Sequence, residues 1–561
     1  MADHLIWLEG VDFATHLDDT TNLSVIRGAS LGMLAAGQEA LGILPGHTLH
    51  FAGASIALLS GPGNLAAGEA AARTLLVHLA TSGAAPDRTG ATPPFAHLRF
   101  VVGVAADNGK LGPRQAQARA RRMQIAGRFP RPGIPATLGP MGECRFSGHR
   151  IADDWLALTD RHARAYLRES PAGPTPPSLR HVPVSTSARA RWHYGRVQRQ
   201  RFYADRPALA ACVPRDHGFT ESLDDLVALR RDAPRGAGAD LAAAIEGERK
   251  MRRNLPLSLL GKIAVIYADG KGFGRIRAAM GGTPTALGRF SAEADAAVQA
   301  GMAAALRCLA TRADDPDPPA RAPAVFLDDE VAGSTPPVPG RQLRFEVLLY
   351  GGDEICFVAP AWYGLEMAAA FFDAVRGRTV DGHMLTFRMG VALVPFNMPI
   401  RASFGLAKSL AEMATLPGNA VSIHAFESVE PPAVGLDALC AGLFGTAAAT
   451  PLVLPGDGFA DALDHFAGVK QNRTLPRSQL HRLIQAAIWR DETGGRRTTP
   501  RFVTATEANA MAHALFEPYA MDRGVSDAHW LAGLHQEAHC AEAAWRLAHL
   551  WDYVAPLEGV A

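Results

Sequence analysis

Apolar blocks separated by small-residue turns predict an ordered series of elements at the start of the chain. HLIWLEGV (4–11) reads as a buried first strand and Val25–Leu41 as a helix. LHFAGASIALLSG (49–61) reads as two short strands around a turn. Residues 63–82, rich in alanine and leucine, predict a helix, HLRFVVGVA (97–105) a strand, and a further helix begins near Pro113. This order, with antiparallel strand pairs, is that of a ferredoxin-like fold. After a Pro/Gly connector at 130–140, residues 141–254 carry weaker periodicity. They read as a mostly helical linking region with a loop at SPAGPTPPS (170–178).

The pattern resumes in GKIAVIYADGKGFGRI (261–276), an apolar strand that ends in an acid-containing turn. A long helix over Ala292–Leu309 follows, then a hairpin, RFEVLLYGGDEICFVAPA (344–361), turning at Gly-Gly-Asp-Glu. A helix (363–377), the strand MLTFRMGVALV (384–394) and a helix (401–415) complete the same order. From Ala438 onward strands largely disappear. DALDHFAGVK, RSQLHRLIQAAIWR, EANAMAHALFE and CAEAAWRLAHLWDYVA have apolar residues at helical spacing and predict a C-terminal bundle.

The two strand-rich segments can be laid over each other. LIWLEGVDFATHL placed on AVIYADGKGFGRI sets Glu9 on Asp269 and Phe13 on Phe273. HFAGASIAL on LYGGDEICF sets Ala54 and Ser55 on Asp353 and Glu354, and HLRFVVGVA falls on MLTFRMGVA. The expected class is therefore α+β. It comprises a degenerate copy over 1–130, a linking region over 141–254, a copy with intact carboxylates over 255–430 and a helical bundle over 437–561.

Composition adds limits. A chain of 561 residues with 48% apolar and 20% charged residues suits several folded domains and excludes a disordered protein. A formal charge of +1, from 56 basic and 55 acidic residues, gives no case for a dedicated nucleic-acid coat. Local basic stretches remain. Arg189, Arg191, Arg196, Arg199 and Arg201 interleave with Trp192, Tyr194, Phe202 and Tyr203, a pattern open to RNA or phosphate contact or to an ordinary solvated helix face. ERKMRRN (248–254) is a second such run. The six cysteines form no CxxC pair, which argues against a thiolate zinc site and suits a reducing compartment. The N-terminus lacks a signal-peptide pattern and no apolar run reaches membrane-spanning length, so a cytoplasmic protein without a membrane is expected.

Chemistry concentrates at the two acidic turns. Asp269 ends one strand and Asp353 sits in a hairpin turn, so neighbouring strands would bring both carboxylates to one sheet edge. Such a pair can hold Mg2+ or Mn2+ against a triphosphate. Glu354 follows directly and is the third candidate ligand, although strand alternation would point it differently from Asp353. Gly351 and Gly352, with Gly270 and Gly272, would let backbone approach a nucleotide closely. Phe273 belongs to the same nucleotide-facing turn, with a core role closing that turn as its plainer reading. Cys356 reads as a buried small hydrophobe, and Asp328 and Asp329 as exposed loop acids. HExxH and a Walker-type phosphate loop are absent from the sequence.

YADGKGFGRI together with YGGDEICFV resembles the GGDEF diguanylate cyclases. The combination is more similar to the polymerase-like large subunit of type III CRISPR effector complexes, which joins two cyclase-like palms and ends in a helical domain. The resemblance implies that Asp269 and Asp353, helped by Glu354, bind two magnesium ions. It implies ATP as substrate and cyclic oligoadenylates as products, with activation by target RNA on a complex bearing guide RNA. Two departures stand out. The family motif often ends in two aspartates where this chain has Asp353-Glu354. The family also tends to carry Ala-Lys, its lysine on the triphosphate, where Ala414-Thr415 falls here, with Lys408 one or two turns earlier. The family's His-Asp nuclease pair and zinc knuckle are not found. A general nucleotide cyclase outside such a complex, or a non-catalytic scaffold of an RNA-binding complex, are the alternative readings.

Overall fold

A computed structural model describes residues 3–11, 19–20, 22–53, 55–126, 141–147, 150–157, 181–213, 217–220, 222–228, 255–313, 325–327, 341–432, 435–444, 452–471, 477–489, 503–504, 506–508, 510–512, 514–515 and 540–554. The first strand, β1 (His4–Gly10), is followed by α1 (Leu23–Ile43), β2 (Thr48–Ala52), β3 (Ile56–Gly61), α2 (Leu65–Thr81), β4 (Phe100–Ala106) and α3 (Leu111–Ala126). The four strands form an antiparallel sheet of order β2-β3-β1-β4. Leu5, Ile6, Trp7 and Leu8 are all buried, which explains why β1 reads as a continuous apolar block: both of its faces are covered. Ile6, Leu8, Leu59 and Val102 pack under α1 and α2, while Leu5, Trp7, Val101 and Ala105 pack under α3. Asn22 and Asn64 start the first two helices by accepting the Val25 and Ala67 amide protons.

Among its described residues the linking region carries short strands as well as helices. β5 (Asp154–Ala157) and β6 (His181–Val184) form a two-stranded sheet ahead of α4 (Thr186–Ala204). β7 (His217–Phe219) later pairs with a strand from much further along the chain. Helix α4 lies close against α1, where a Cβ on Gly195 would fall 2.0 Å from the Ser24 carbonyl oxygen.

The second half begins with β8 (Lys262–Gly270), α5 (Phe273–Ala279) and α6 (Pro284–Ala313). β9 (Val325–Leu327) and β10 (Arg341–Leu343) join β7 in a small sheet. β11 (Glu346–Gly351), β12 (Glu354–Pro360), α7 (Ala361–Val375), the short hairpin β13 (Thr379–Val380) and β14 (His383–Met384), β15 (Phe387–Pro395) and α8 (Ile400–Met413) follow. Two strands that the hydrophobic pattern did not mark extend the main sheet to the order β11-β12-β8-β15-β16-β17. β16 (Ala420–Ala425) runs parallel to β15, and β17 (Val453–Pro455), beyond α9 (Leu436–Phe444), pairs on its outer edge. The C-terminal region therefore contributes a strand as well as helices. Helices α10 (Phe459–Gln471), α11 (Arg477–Ile484) and α12 (Cys540–Leu550) share one continuous core with this sheet. The Ala425 amide donates to His549 Nε2 at 3.0 Å, and the His424 and His549 rings stack at 4.6 Å.

The two sheets repeat one another in register as well as in order. Glu9 lies opposite Ile56 and Val101, and Asp269 lies opposite Glu354 and Arg388. The Gly10 amide donates to Ser55 O at 2.5 Å and the Gly270 amide to Asp353 O at 2.9 Å. A Cβ on Gly103 would lie 1.9 Å from the Ala116 carbonyl oxygen, and one on Gly390 would lie 1.9 Å from that of Ala407. Each glycine admits the following helix in the same way. This register corrects the sequence overlay of the hairpins by one residue: Ser55 matches Asp353 and Ile56 matches Glu354. Side chains alternate across a strand, so a one-residue slip would exchange the buried and site-facing sets. Ala54 and Phe13 lie outside the described residues.

Candidate nucleotide and metal site

Asp269 occupies the penultimate position of β8, where the strand leaves the core and becomes half-buried. Asp353 is in the two-residue turn between β11 and β12, and Glu354 is the first residue of β12. Gly352 takes φ 53° at the first central position of that turn, where a tight hairpin needs a residue without a Cβ. The hydrogen bond from Gly270 to Asp353 O ties the turn to the end of β8. The structure thus brings all three acids to one end of the sheet. Directly paired residues on neighbouring strands share a face, so Glu354 stands beside Asp269, closer to it than strand alternation from Asp353 had implied.

The glycines and Phe273 have more mixed roles. Gly351 closes β11 and Gly272 precedes α5 with φ 72°. Gly270 is required by packing, since a Cβ there would meet the Phe273 ring at 2.3 Å. Phe273 itself is 1% exposed and packs edge-on against Phe290 and Phe387, at centroid distances of 5.2 and 5.3 Å. It is a core residue and does not face a nucleotide. The reason is geometric: α5 turns back onto α6 and carries its first apolar side chain inward.

Each acid has a basic neighbour, and the motifs had marked none of these pairings. Arg388, opposite Asp269 on β15, donates to Asp269 Oδ2 from Nε at 2.9 Å and from Nη2 at 2.6 Å. Burial raises the affinity of Asp353 for its proton; the Arg277 charge opposes this and the Asp269 charge adds to it. Burial likewise raises Glu354, against a hydrogen bond from the Tyr267 hydroxyl and the Lys408 charge. Asp269 and Asp353 push Glu354 in the same direction as burial does. The signal for Arg388 was present in the sequence, as a charged residue inside the apolar strand FRMGVALVP.

Lys271 approaches the place where a lysine was missing. Its Nζ donates to the Thr415 carbonyl oxygen at 3.3 Å and also to that of Leu416. Helix α8 ends at Met413 with Ala414 as its cap, so Thr415 lies past the helix, whereas Lys408 lies within it with Nζ 5.9 Å from the Tyr267 ring centre.

A cleft opens beside Asp353, lined by Phe51, Ser55, Arg277, Phe290, Gly352 and Glu354. Its walls come from both sheets: the hairpin of the first faces the hairpin of the second. An adjoining cavity, sharing Arg277 and Leu287 with it, adds Arg114, Gln117 and Arg121 from α3.

Among the described residues, no group of three or more His, Cys, Asp or Glu side chains forms a preassembled metal cage. The donor set still fits a hard divalent cation of the magnesium type, which commonly takes one or two carboxylates and completes its shell with substrate phosphates and water. The Asp269 charge disfavours ionisation of both Asp353 and Glu354, a repulsion that such a cation would relieve. Asp328 and Asp329 lie outside the described residues.

The basic stretch on α4 is neither a solvated face nor wholly available to RNA. Arg191 is fully buried and donates to Asp19 at 2.6 Å, and Arg199 is buried 3.0 Å from Glu346. Arg189 pairs with Asp154, and Arg196 stacks 4.7 Å over Trp192. Arg201 is exposed. Arg27 of α1 also binds Glu346, from Nε at 2.7 Å, so α1, α4 and the start of β11 meet at one buried carboxylate. The 248–254 run lies outside the described residues. Among the described residues no helix is long and apolar enough to cross a membrane.

Neither a protein-family model nor a curated protein matches the chain. Among solved structures, the chain is similar to a Csm1–Csm4 cassette in complex with cA4, at 12% identity and a TM-score of 0.47, over 96% of this chain and 70% of that one. It is similar to the same cassette in complex with AMPPNP, at 12% identity and a TM-score of 0.46, over 98% and 70%. It is also similar to Csm1 of T. onnurineus, at 11% identity and a TM-score of 0.45, over 99% and 70%.

Proposed function

We propose that the chain is a divalent-metal-dependent nucleotidyltransferase that converts ATP to cyclic oligoadenylate within an RNA-guided complex, the reaction implied by its motif resemblance. The observation that carries this reading is the meeting of Asp269, Asp353 and Glu354 at one end of the sheet, where Asp353 and Glu354 line a cleft that also holds Arg277. On this reading residues 255–430 are the competent palm, 1–130 its degenerate partner, 141–254 the link and 437–561 the supporting C-terminal region. The three carboxylates would hold the cation, which supplies charge neutralisation on the triphosphate and activation of the attacking hydroxyl. Arg277 flanks the cleft beside Asp353 and is placed to take a phosphate oxygen. The first-copy hairpin covers the other side, where it orients the nucleotide and excludes water.

A second reading has its own support. The ion pair on Asp269 and the threonine at position 415 favour a non-catalytic scaffold in which both sheets serve packing. The test is to incubate purified chain, alone and with copurifying RNA and partners, with each labelled nucleotide triphosphate and Mg2+ or Mn2+. Products are resolved by mass spectrometry beside an Asp269→Ala, Asp353→Ala double variant. Cyclic adenylates that vanish in the variant establish the proposal, and a cyclic dinucleotide moves it to a general cyclase. No product from an intact complex with target RNA leaves the scaffold.

A further inference from the structure

We propose that Arg388 is a substrate-positioning residue that exchanges partners. It holds Asp269 while the site is empty and passes to the nucleotide phosphates when a cation takes that carboxylate. The inference rests on the metal-site reading above.

Four observations support it. Both hydrogen bonds from the guanidinium end on the single atom Oδ2, with Nε at 2.9 Å and Nη2 at 2.6 Å. A side-by-side fork would engage both oxygens, so this grip is the weaker, more readily exchanged kind. The pair is also accessible, with side chains 35% and 21% exposed, which keeps its strength modest. Next, the first sheet has Val101 opposite Glu9, at the position matching Arg388 opposite Asp269. The matching strand position is thus apolar in the first sheet, which favours a role for the arginine beyond packing. Finally, Arg388 has cationic company: the Lys271 amide donates to Thr386 O at 2.8 Å, which sets Lys271 beside the start of β15, two residues before Arg388. Lys271 itself is bound to backbone carbonyls. Once Asp269 is taken by a cation, Arg388 and Lys271 are two positive groups at the same end of the sheet, an arrangement that suits a polyphosphate. Arg388 would then supply the contact that Thr415 cannot make.

The test uses the full chain and two probes. Mn2+ alone is titrated by electron paramagnetic resonance, and ATP in the presence of Mn2+ is titrated by calorimetry. Arg388→Met should bind free Mn2+ about 1.5-fold to fivefold more tightly, the factor expected for releasing a partly exposed ion pair. The same variant should bind ATP with Mn2+ more weakly than the wild type by a comparable factor. Opposite shifts in the two titrations are not produced by loosened structure, which weakens both. Arg388→Gln is measured alongside, in case the methionine variant does not fold. Unchanged or weaker Mn2+ binding in a folded variant overturns the proposal. Asp269→Asn separates the two layers. If it abolishes Mn2+ binding while Arg388→Met leaves that binding unchanged, only the exchange role falls. If Mn2+ binding is indifferent to Asp269→Asn, the metal-site reading falls and takes the exchange role with it.

Discussion

The first and second sheets are the same connection of strands and helices carrying different chemistry at one rung. In the first sheet that rung is Ile56–Glu9–Val101; in the second it is Glu354–Asp269–Arg388. Two residues back along the central strand, Trp7 donates to Glu9 at 3.3 Å, while Tyr267 donates across to Glu354. The turn position is Ser55 in one and Asp353 in the other, each accepting the amide of the matching glycine. Shared packing with unshared charge argues that the carboxylates of the second sheet serve something other than the sheet's order. The first sheet has the same strand order with serine, isoleucine and valine at those positions. The cost of burying Asp353 and Glu354, visible as their raised proton affinity, is incurred in one copy alone.

The comparison can be broken most sharply by rewriting the second rung as the first. Asp353→Ser with Glu354→Ile should leave the thermal midpoint unchanged or raised, while product formation falls by about a hundredfold or more. Mass-spectrometric product assay and melting on the same preparation check both halves, and lost folding would show that the acids are structural.

The shared packing is tested next. Gly103→Ala and Gly390→Ala each place a Cβ against a helix carbonyl oxygen, so each should destabilise the chain by about 1–3 kcal/mol. Denaturant titrations should show similar losses. A large loss at one site and none at the other would mean that the two helix contacts are not equivalent.

Acid should separate the two halves. Asp19 is buried, which by itself opposes ionisation, but Arg191 and Arg150 outweigh burial and hold it at about 2. A depressed carboxylate contributes stability above its unfolded value, and that contribution is lost as pH falls from about 4 toward 2. His424 is held near 4 by burial, below its unfolded value of about 6.5. Its contribution is complete above pH 6.5 and declines as pH falls from there toward 4. Hydrogen exchange should therefore show α12 and β16 loosening before the contacts of Asp19 with α4. The reverse order would contradict these assignments.

The smallest expected effect is Glu9→Gln, which preserves an acceptor for Trp7 and should change stability by about 0.5 kcal/mol or less. A large loss of product on this substitution would show that the first copy takes part in chemistry.

Much of this organisation was legible in the chain. The apolar blocks at 4–11, 97–105, 261–276 and 384–394 and the Gly-Gly-Asp-Glu turn mark strands and a hairpin because burial on both faces and tight turning restrict residue type locally. They also placed Asp269 at a strand end and Asp353 in a turn before any contact was known. What they could not set was register. A one-residue slip between the two hairpins changes no local preference, so Ser55 and Ile56 took their true partners only when β3 paired with β1. Strands β16 and β17 were missed for a related reason: short segments become strands through the neighbour they pair with. The arginines of α4 looked exposed because charge usually is, until Asp19 and Glu346, distant in sequence, paired with Arg191 and Arg199 and made their burial tolerable. Arg388 shows the same division. Sequence placed a cation in an apolar strand, and only the pairing of β15 with β8 set it on Asp269, because a charge's partner is chosen by distance in space and not along the chain.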